Sequence, residues 1–259
     1  MKSFLKNKQF GQGIRKVTVL TAAIVSLSAA SVSWAAPITL KYDGFVNGNK
    51  TGTIAGHSGN VNAGQFNFKI VTPPSASTAE WNSTLQAFCI DINKTLVTSG
   101  NVTYDIVPAT GTGGLTSLQL SQVSWLFDNH FADLGSSKND AAFQLSLWEI
   151  FFEKPGSAFD LTKGDFTSTT FESARQVANG WLSGVPTSDD YTSDRWEFYT
   201  LNPTNPQNNQ RLITWREKDP GQPIHEISEP GTLLLLSIGL GVAFFSIRRR
   251  NGMQFASLA

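Results

Sequence analysis

Leu85-Gln86-Ala87-Phe88-Cys89-Ile90-Asp91-Ile92 is the stretch on which the fold turns. In an extended chain successive side chains point to opposite faces. Phe88, Ile90 and Ile92 therefore share one face, and Cys89 and Asp91 share the other, away from those hydrophobes. Working outward, residues 38–46, 64–71 and 101–107 are likewise alternating or β-branched, and Gly/Asn/Ser/Pro-rich turns separate them. The chemistry then changes to helices. Thr116 or Ser117 is placed to cap a helix over 118–131, Asn139 or Asp140 to cap one over 141–153 that stops before Pro155, and Thr169 or Thr170 to cap one over 171–182. Residues 195–201 and 211–217 read as returning strands. The pattern predicts an α+β domain, a twisted and mainly antiparallel sheet with helices inserted between its early and late strands.

Both ends of the chain differ from this body. Lys2, Lys6, Lys8, Arg15 and Lys16 precede a mostly apolar run over 17–30, and small residues flank a cleavage point between Ala35 and Ala36, the pattern of a secretory signal peptide over 1–35. The body spans 36–217, and a polar, proline-bearing linker over 218–227 follows. Next come Ser228-Glu229-Pro230-Gly231-Thr232, an apolar run over 233–247, the cluster Arg248-Arg249-Arg250 and a tail over 251–259 that would be cytoplasmic. The apolar run is shorter than the roughly 20 residues of an ordinary membrane crossing. Its following arginines favour the cytoplasmic side and leave the body facing outward.

Charge and cysteine usage narrow the function. With five basic residues in the leader and three in the C-terminal cluster, 12 remain against 20 acids, so the stretch from Ala36 to Glu229 carries −8. Nucleic acid is an unsuitable partner for such a surface. Cys89 is the only cysteine, which excludes an internal disulfide, and His57, His130 and His225 are scattered, which disfavours a soft-metal site. Asp189, Asp190 and Asp194 lack the glycine and glutamate of a standard calcium loop and read as a solvated turn. Asn82, Asn93 and Asn101 begin glycosylation-like triplets that reflect an Asn/Thr-rich composition.

At about 100° per residue, the helix over 140–153 gathers Ser146, Glu149 and Glu153 on a polar face. Gln144 falls nearly opposite, among Ala141, Leu147, Trp148 and Phe151. A primary amide buried without partners costs roughly 1–3 kcal/mol. Gln144 is therefore expected either to bond a neighbouring strand or to react. The reactive option pairs it with Cys89: attack of the sulfur on the side-chain carbonyl would expel ammonia and leave an internal thioester. Trp148, Phe88 and the helix over 118–131 are the candidates to shield that bond from water.

Phe88-Cys89-Ile90-Asp91 and Phe143-Gln144-Leu145-Ser146-Leu147-Trp148 resemble the paired motifs of the thioester domains of bacterial surface adhesins, and Val123 to Asn129 resembles their Leu-Leu-x-Asn stretch. Phe143 stands where that family has threonine, and Ser146 where it has alanine. The resemblance implies covalent attachment to an amine- or hydroxyl-bearing target. The terminal segment, Ser228 to Arg250, resembles the PEP-CTERM sorting signal, with Ser228 in place of the first proline. That resemblance implies signal peptidase and an exosortase-like enzyme as partners, inner-membrane anchoring before sorting, and a final place at the surface or in an extracellular polysaccharide matrix or biofilm.

The expected function is therefore non-enzymatic, without cofactor or metal. The alternatives are a structural or carbohydrate-binding module with a free cysteine, using Trp81, Trp196 and Trp215, and a Cys-dependent hydrolase in which His57 or His130 approaches Cys89. Glu149 and Glu153, one turn apart on a polar face, read as a solvated pair and not as a glycosidase acid and base.

Overall fold

The computed structural model describes residues 36–73, 81 and 83–218. The signal peptide, most of the linker, the sorting segment with its membrane helix, and the tail lie outside the described residues. Ala36 opens the first strand, and Ala35 lies outside.

Five of the six barrel strands fall close to where alternation places them: β1 (Ala36–Phe45), β4 (Phe66–Thr72), β6 (Asn101–Pro108), β7 (Trp196–Asn205) and β8 (Leu212–Glu217). The sixth, β5 (Thr84–Cys89), ends three residues earlier than the pattern suggests. A short hairpin, β2 (Lys50–Gly52) with β3 (Val61–Ala63), was not foreseen, because three-residue strands are too short to show alternation.

The expected sheet is closed into a barrel in the order β1-β4-β5-β8-β7-β6, antiparallel throughout. Closure comes from the last strand, since β8 returns to pair Phe88 with Ile213 and Cys89 with Leu212, while β6 pairs with β1. No edge of the barrel sheet is left to template association. Directly paired residues share a face, so Cys89, Leu212, Leu201 and Ile106 form one row pointing into the barrel. The neighbouring row, Phe88, Ile213 and Thr200, points out.

Three helices, α1 (Ser117–His130), α2 (Ser137–Phe152) and α3 (Glu172–Leu182), enter between β6 and β7 as expected. Phe127 of α1 meets Phe198 at 4.8 Å and Trp215 at 5.0 Å, and Phe143 of α2 stacks on Phe88 at 4.9 Å. Aromatic pairs of this kind add about 0.5–1.5 kcal/mol each beyond the area they bury. Trp196 is buried in this layer, Trp215 stacks on Phe88 at 5.5 Å, and Trp81 sits edge-on to Tyr199 at 5.3 Å. Of the three tryptophans named as carbohydrate contacts, Trp196 is buried, and Trp81 and Trp215 are half-buried.

The helix caps separate local signals from tertiary ones. Thr116 caps α1, and Gln119 completes a reciprocal capping box. Ser136, and not Asn139 or Asp140, caps α2. Asp140 is instead a buried helix residue that accepts from Asn47 at 3.0 Å and from the Gly135 N–H at 3.2 Å. Thr169 and Thr170 do not cap α3, because their hydroxyls bond Thr53 across the chain.

The predicted polar face of α2 does not exist. Every residue from Asp140 to Ile150 is buried, because the helix packs against β5, the β2–β3 hairpin, α1 and α3 together. Ser146 is satisfied within the helix by donating to the Ala142 carbonyl at 3.0 Å. Glu149 is fully buried, and Glu153 nearly so. They are not a solvated pair. They hold the loop that follows the helix: Glu149 accepts from the Asp160 N–H at 2.7 Å, and Glu153 accepts from the Asp165 and Phe166 N–H groups at 2.8 and 3.2 Å. Gly164 passes so close to this grip that an added Cβ would lie 2.3 Å from the Glu153 carboxylate.

Candidate functional site

The site forms where one ladder runs out. β4 and β5 pair Phe66 with Ala87, so continuing their register would set Cys89 opposite Gly64. Gly64 lies before the start of β4, and the N–H and C=O of Cys89 on that side have no strand to meet. Gln144 of α2 meets them instead. Its Oε1 accepts from the Cys89 N–H at 2.8 Å, and its Nε2 donates to the Cys89 carbonyl at 2.7 Å. A primary amide presents an acceptor and a donor side by side, as the backbone of an antiparallel neighbour would. The glutamine in the apolar stripe is thereby satisfied, and the partner is the backbone of the lone cysteine itself.

The Cys89 side chain is fully buried. Cys89 lies on the opposite face of β5 from Phe88, as alternation places it, and barrel closure turns that face into an interior. The thiol donates to the Asp91 carbonyl at 3.3 Å, and the Asp91 N–H donates to the sulfur at 3.3 Å. Burial pushes the thiol up to about 12; the Asp91 backbone bond and the Trp148 indole pull against that shift, and the Asp91 charge adds to it. At neutral pH the group is a thiol.

Trp148, one helical turn after Gln144, is almost fully buried, and its Nε1–H has no hydrogen-bond partner. From there the indole acts on the Cys89 thiol and lowers its pKa against the larger upward push of burial. Phe88 lies on the opposite side of the strand from the thiol, stacked between Phe143 and Trp215. The helix over 117–130 contributes to that outer aromatic layer through Phe127.

The arrangement holds the Gln144 amide on the backbone of Cys89 and aims a backbone N–H at its carbonyl oxygen. A donor in that position stabilises the negative charge that grows on oxygen when the carbonyl is attacked. Among the described residues neither His57 nor His130 hydrogen-bonds Cys89; His130 meets Asp133 at 3.0 Å and stacks on Trp181 at 4.8 Å. Also among the described residues, no three His, Cys, Asp or Glu side chains gather as metal ligands, the Asp189, Asp190 and Asp194 group included.

Asn209 is a feature that sequence reasoning missed. It is buried, donates to the Tyr104 hydroxyl at 2.8 Å and accepts from the Val97 N–H at 2.9 Å, which fastens the connection after β5 to the β7–β8 turn. Asparagine in a turn is ordinary, and nothing local distinguishes this one from Asn208 beside it.

The terminal segment is decided by its sequence. Residues 226–250 match the PEP-CTERM protein-sorting motif. The match takes in Ser228 to Thr232 and the cluster Arg248 to Arg250. A PEP-CTERM motif implies an exported protein that an exosortase-like enzyme sorts. Among the described residues no helix is long and apolar enough to cross a membrane. No curated protein matches the sequence. Among solved structures, the chain is similar to the N-terminal thioester domain of a surface protein from Clostridium perfringens, with a TM-score of 0.39 and 9% identity, covering 70% of this chain and 99% of that one.

Proposed function

We propose that this exported protein is held at the inner membrane by its C-terminal segment, then sorted to the cell surface or extracellular matrix, where its body attaches covalently through a Cys89–Gln144 thioester. The observation that supports the attachment is the pair of hydrogen bonds that places both ends of the Gln144 amide on the backbone of Cys89. The sulfur attacks the Gln144 amide carbon, an S–C bond forms, the C–N bond breaks, and ammonia leaves with the thiol proton. A target amine or hydroxyl then attacks the same carbon, forms an amide or ester, and returns Cys89 as a thiol. Each molecule acts once, without cofactor or metal, so the protein is not an enzyme. Signal peptidase and the exosortase-like enzyme process its ends, and extracellular polysaccharide or another surface polymer supplies the target.

Intact mass of the exported protein, with and without methylamine and beside Cys89→Ala, tests the reading. The expected result is a mass lower by one ammonia, raised by one methylamine on treatment, with neither change in the variant. An unmodified wild-type mass sinks it.

A second reading has its own support. Complete burial and the high thiol pKa describe an inert cysteine, and the satisfied Gln144 amide describes a structural bridge. On that reading the body is a non-covalent structural or binding module.

A further inference from the structure

Cys89 and Gln144 are both completely buried, so a bond between them is closed to any target while the fold is closed. Some part of the chain has to move before an amine or hydroxyl reaches the carbonyl carbon. The barrel wall is held by strand pairing all round, and Gln144 seals the place beside Cys89 where a ladder runs out. The end of the barrel is different. Cys89 is the last residue of β5 and pairs with Leu212, the first of β8, while Asn101 opens β6 and Asn205 closes β7. Residues 90–100 and the β7–β8 turn over 206–211 therefore both cross this end.

The first of these connections lies directly on the sulfur. Ile90 still bonds the Arg211 carbonyl at 3.0 Å, and strand pairing stops there. The N–H and C=O of the next residue, Asp91, both meet the thiol, each at 3.3 Å. Farther along, Ile92, Leu96 and Val97 are partly buried against the core, and residues 93–95 and 98–100 are exposed. Three consecutive side chains tie this segment across to the β7–β8 turn. Asn208 accepts from the Lys94 ammonium at 3.1 Å, Asn209 accepts from the Val97 N–H at 2.9 Å, and Gln210 donates to the Lys94 carbonyl at 2.7 Å. Of the three only Asn209 is buried, and its amide also holds the Tyr104 hydroxyl inside the barrel at 2.8 Å. A segment with few fully buried apolar contacts and exposed hydrogen bonds sits at the low-stability end of a fold and opens without global unfolding.

We propose that residues 91–100 are the gate to the Cys89–Gln144 site and that Asn209 is its latch. This inference rests on the thioester reading and adds to it the route by which the target enters. Closed, the gate keeps water from the bond. Swung away from the β7–β8 turn, it uncovers the sulfur at the barrel mouth. The target's nitrogen or oxygen then bonds to the carbonyl carbon, the S–C bond breaks, and the target's proton returns Cys89 to a thiol.

Methylamine incorporation into the exported protein, followed by intact mass, tests the gate. Asn209→Ala is expected to speed incorporation roughly tenfold or more, and Gln210→Ala, which removes a bond at the rim, by a smaller factor. Thr51→Ala removes a 2.7 Å bond to Asn62 in the β2–β3 hairpin, part of the β1–β4 connection at the same barrel end, and is expected to leave the rate unchanged. Unchanged rates in both latch variants overturn the proposal, as does equal acceleration by Thr51→Ala. If Asn209→Ala does not fold, Gln210→Ala against Thr51→Ala decides. If wild type loses no ammonia, the thioester reading fails on its own, and iodoacetamide labelling of Cys89 in the same folded variants decides the gate. Faster labelling in the latch variants alone supports it, and equal rates overturn it.

Discussion

Glu149 accepts the Asp160 N–H through Oε1 at 2.7 Å, while its Oε2, equally buried, has no hydrogen-bond partner. Burial pushes this carboxyl up to about 7, the Asp160 N–H opposes the shift, and the nearby Glu153 and Asp160 charges add to it. Between its ordinary value of 4.5 and about 7, the folded chain therefore holds a proton that the unfolded chain has released. Stability from this group is greatest below that window and falls as pH rises through it. The expected loss is on the order of 2–3 kcal/mol. Denaturant unfolding at steps from pH 4.5 to 8 checks it, and Glu149→Gln removes most of the slope. Burial also shifts Asp140 upward, so its contribution has the same sign.

With Cys89 a free thiol and Gln144 an intact amide, the two residues are expected to separate cleanly in a stability experiment. Gln144→Leu removes both partners of a buried N–H and a buried C=O, at about 1–3 kcal/mol for each group left unpaired. Cys89→Ala leaves that bridge in place and removes only the sulfur, for a cost of about 1–2 kcal/mol. The glutamine variant should thus lose more at an unchanged denaturant slope. Equal losses would mean that the bridge contributes little.

The contrast between these residues shows what was legible in the sequence. The eight longer elements other than β5 declared themselves within a few residues, because an alternating strand or a capped helix is a local pattern. Gln144 stood out because it interrupts an apolar stripe. What escaped was non-local. The position of Cys89 in an interior depends on β8 returning to β5 from more than a hundred residues away. The polar face of α2 dissolved because a loop downstream folds back and presents backbone N–H groups to Glu149 and Glu153, which periodicity within the helix cannot foresee.

Asn209 provides a test of how the barrel end over Cys89 is held. Its side chain joins Val97 to the β7–β8 turn and satisfies Tyr104 in the interior. Asn209→Ala is expected to cost about 2–3 kcal/mol, as a side chain serving two buried or half-buried groups is lost. Hydrogen exchange should show early opening confined to residues 90–100 and 205–211. Uniform loss of protection would argue against a local clasp.

Cys89 reactivity joins the stability and functional arguments. A thiol with a pKa near 12 is ionised in roughly one molecule in ten thousand at pH 8, and the side chain is fully enclosed. Iodoacetamide should therefore label the folded protein no faster than the barrel opens, and addition of stabilising salt should slow labelling further. Protection in the folded state is common to the thioester and free-thiol readings, so it does not choose between them. Denaturation does. A free thiol exposed by denaturant acquires its ordinary pKa and labels to completion, whereas a sulfur bonded to Gln144 stays unlabelled until methylamine opens the bond. Complete labelling of freshly denatured, untreated protein would assign Cys89 to the core and Gln144 to the bridge alone.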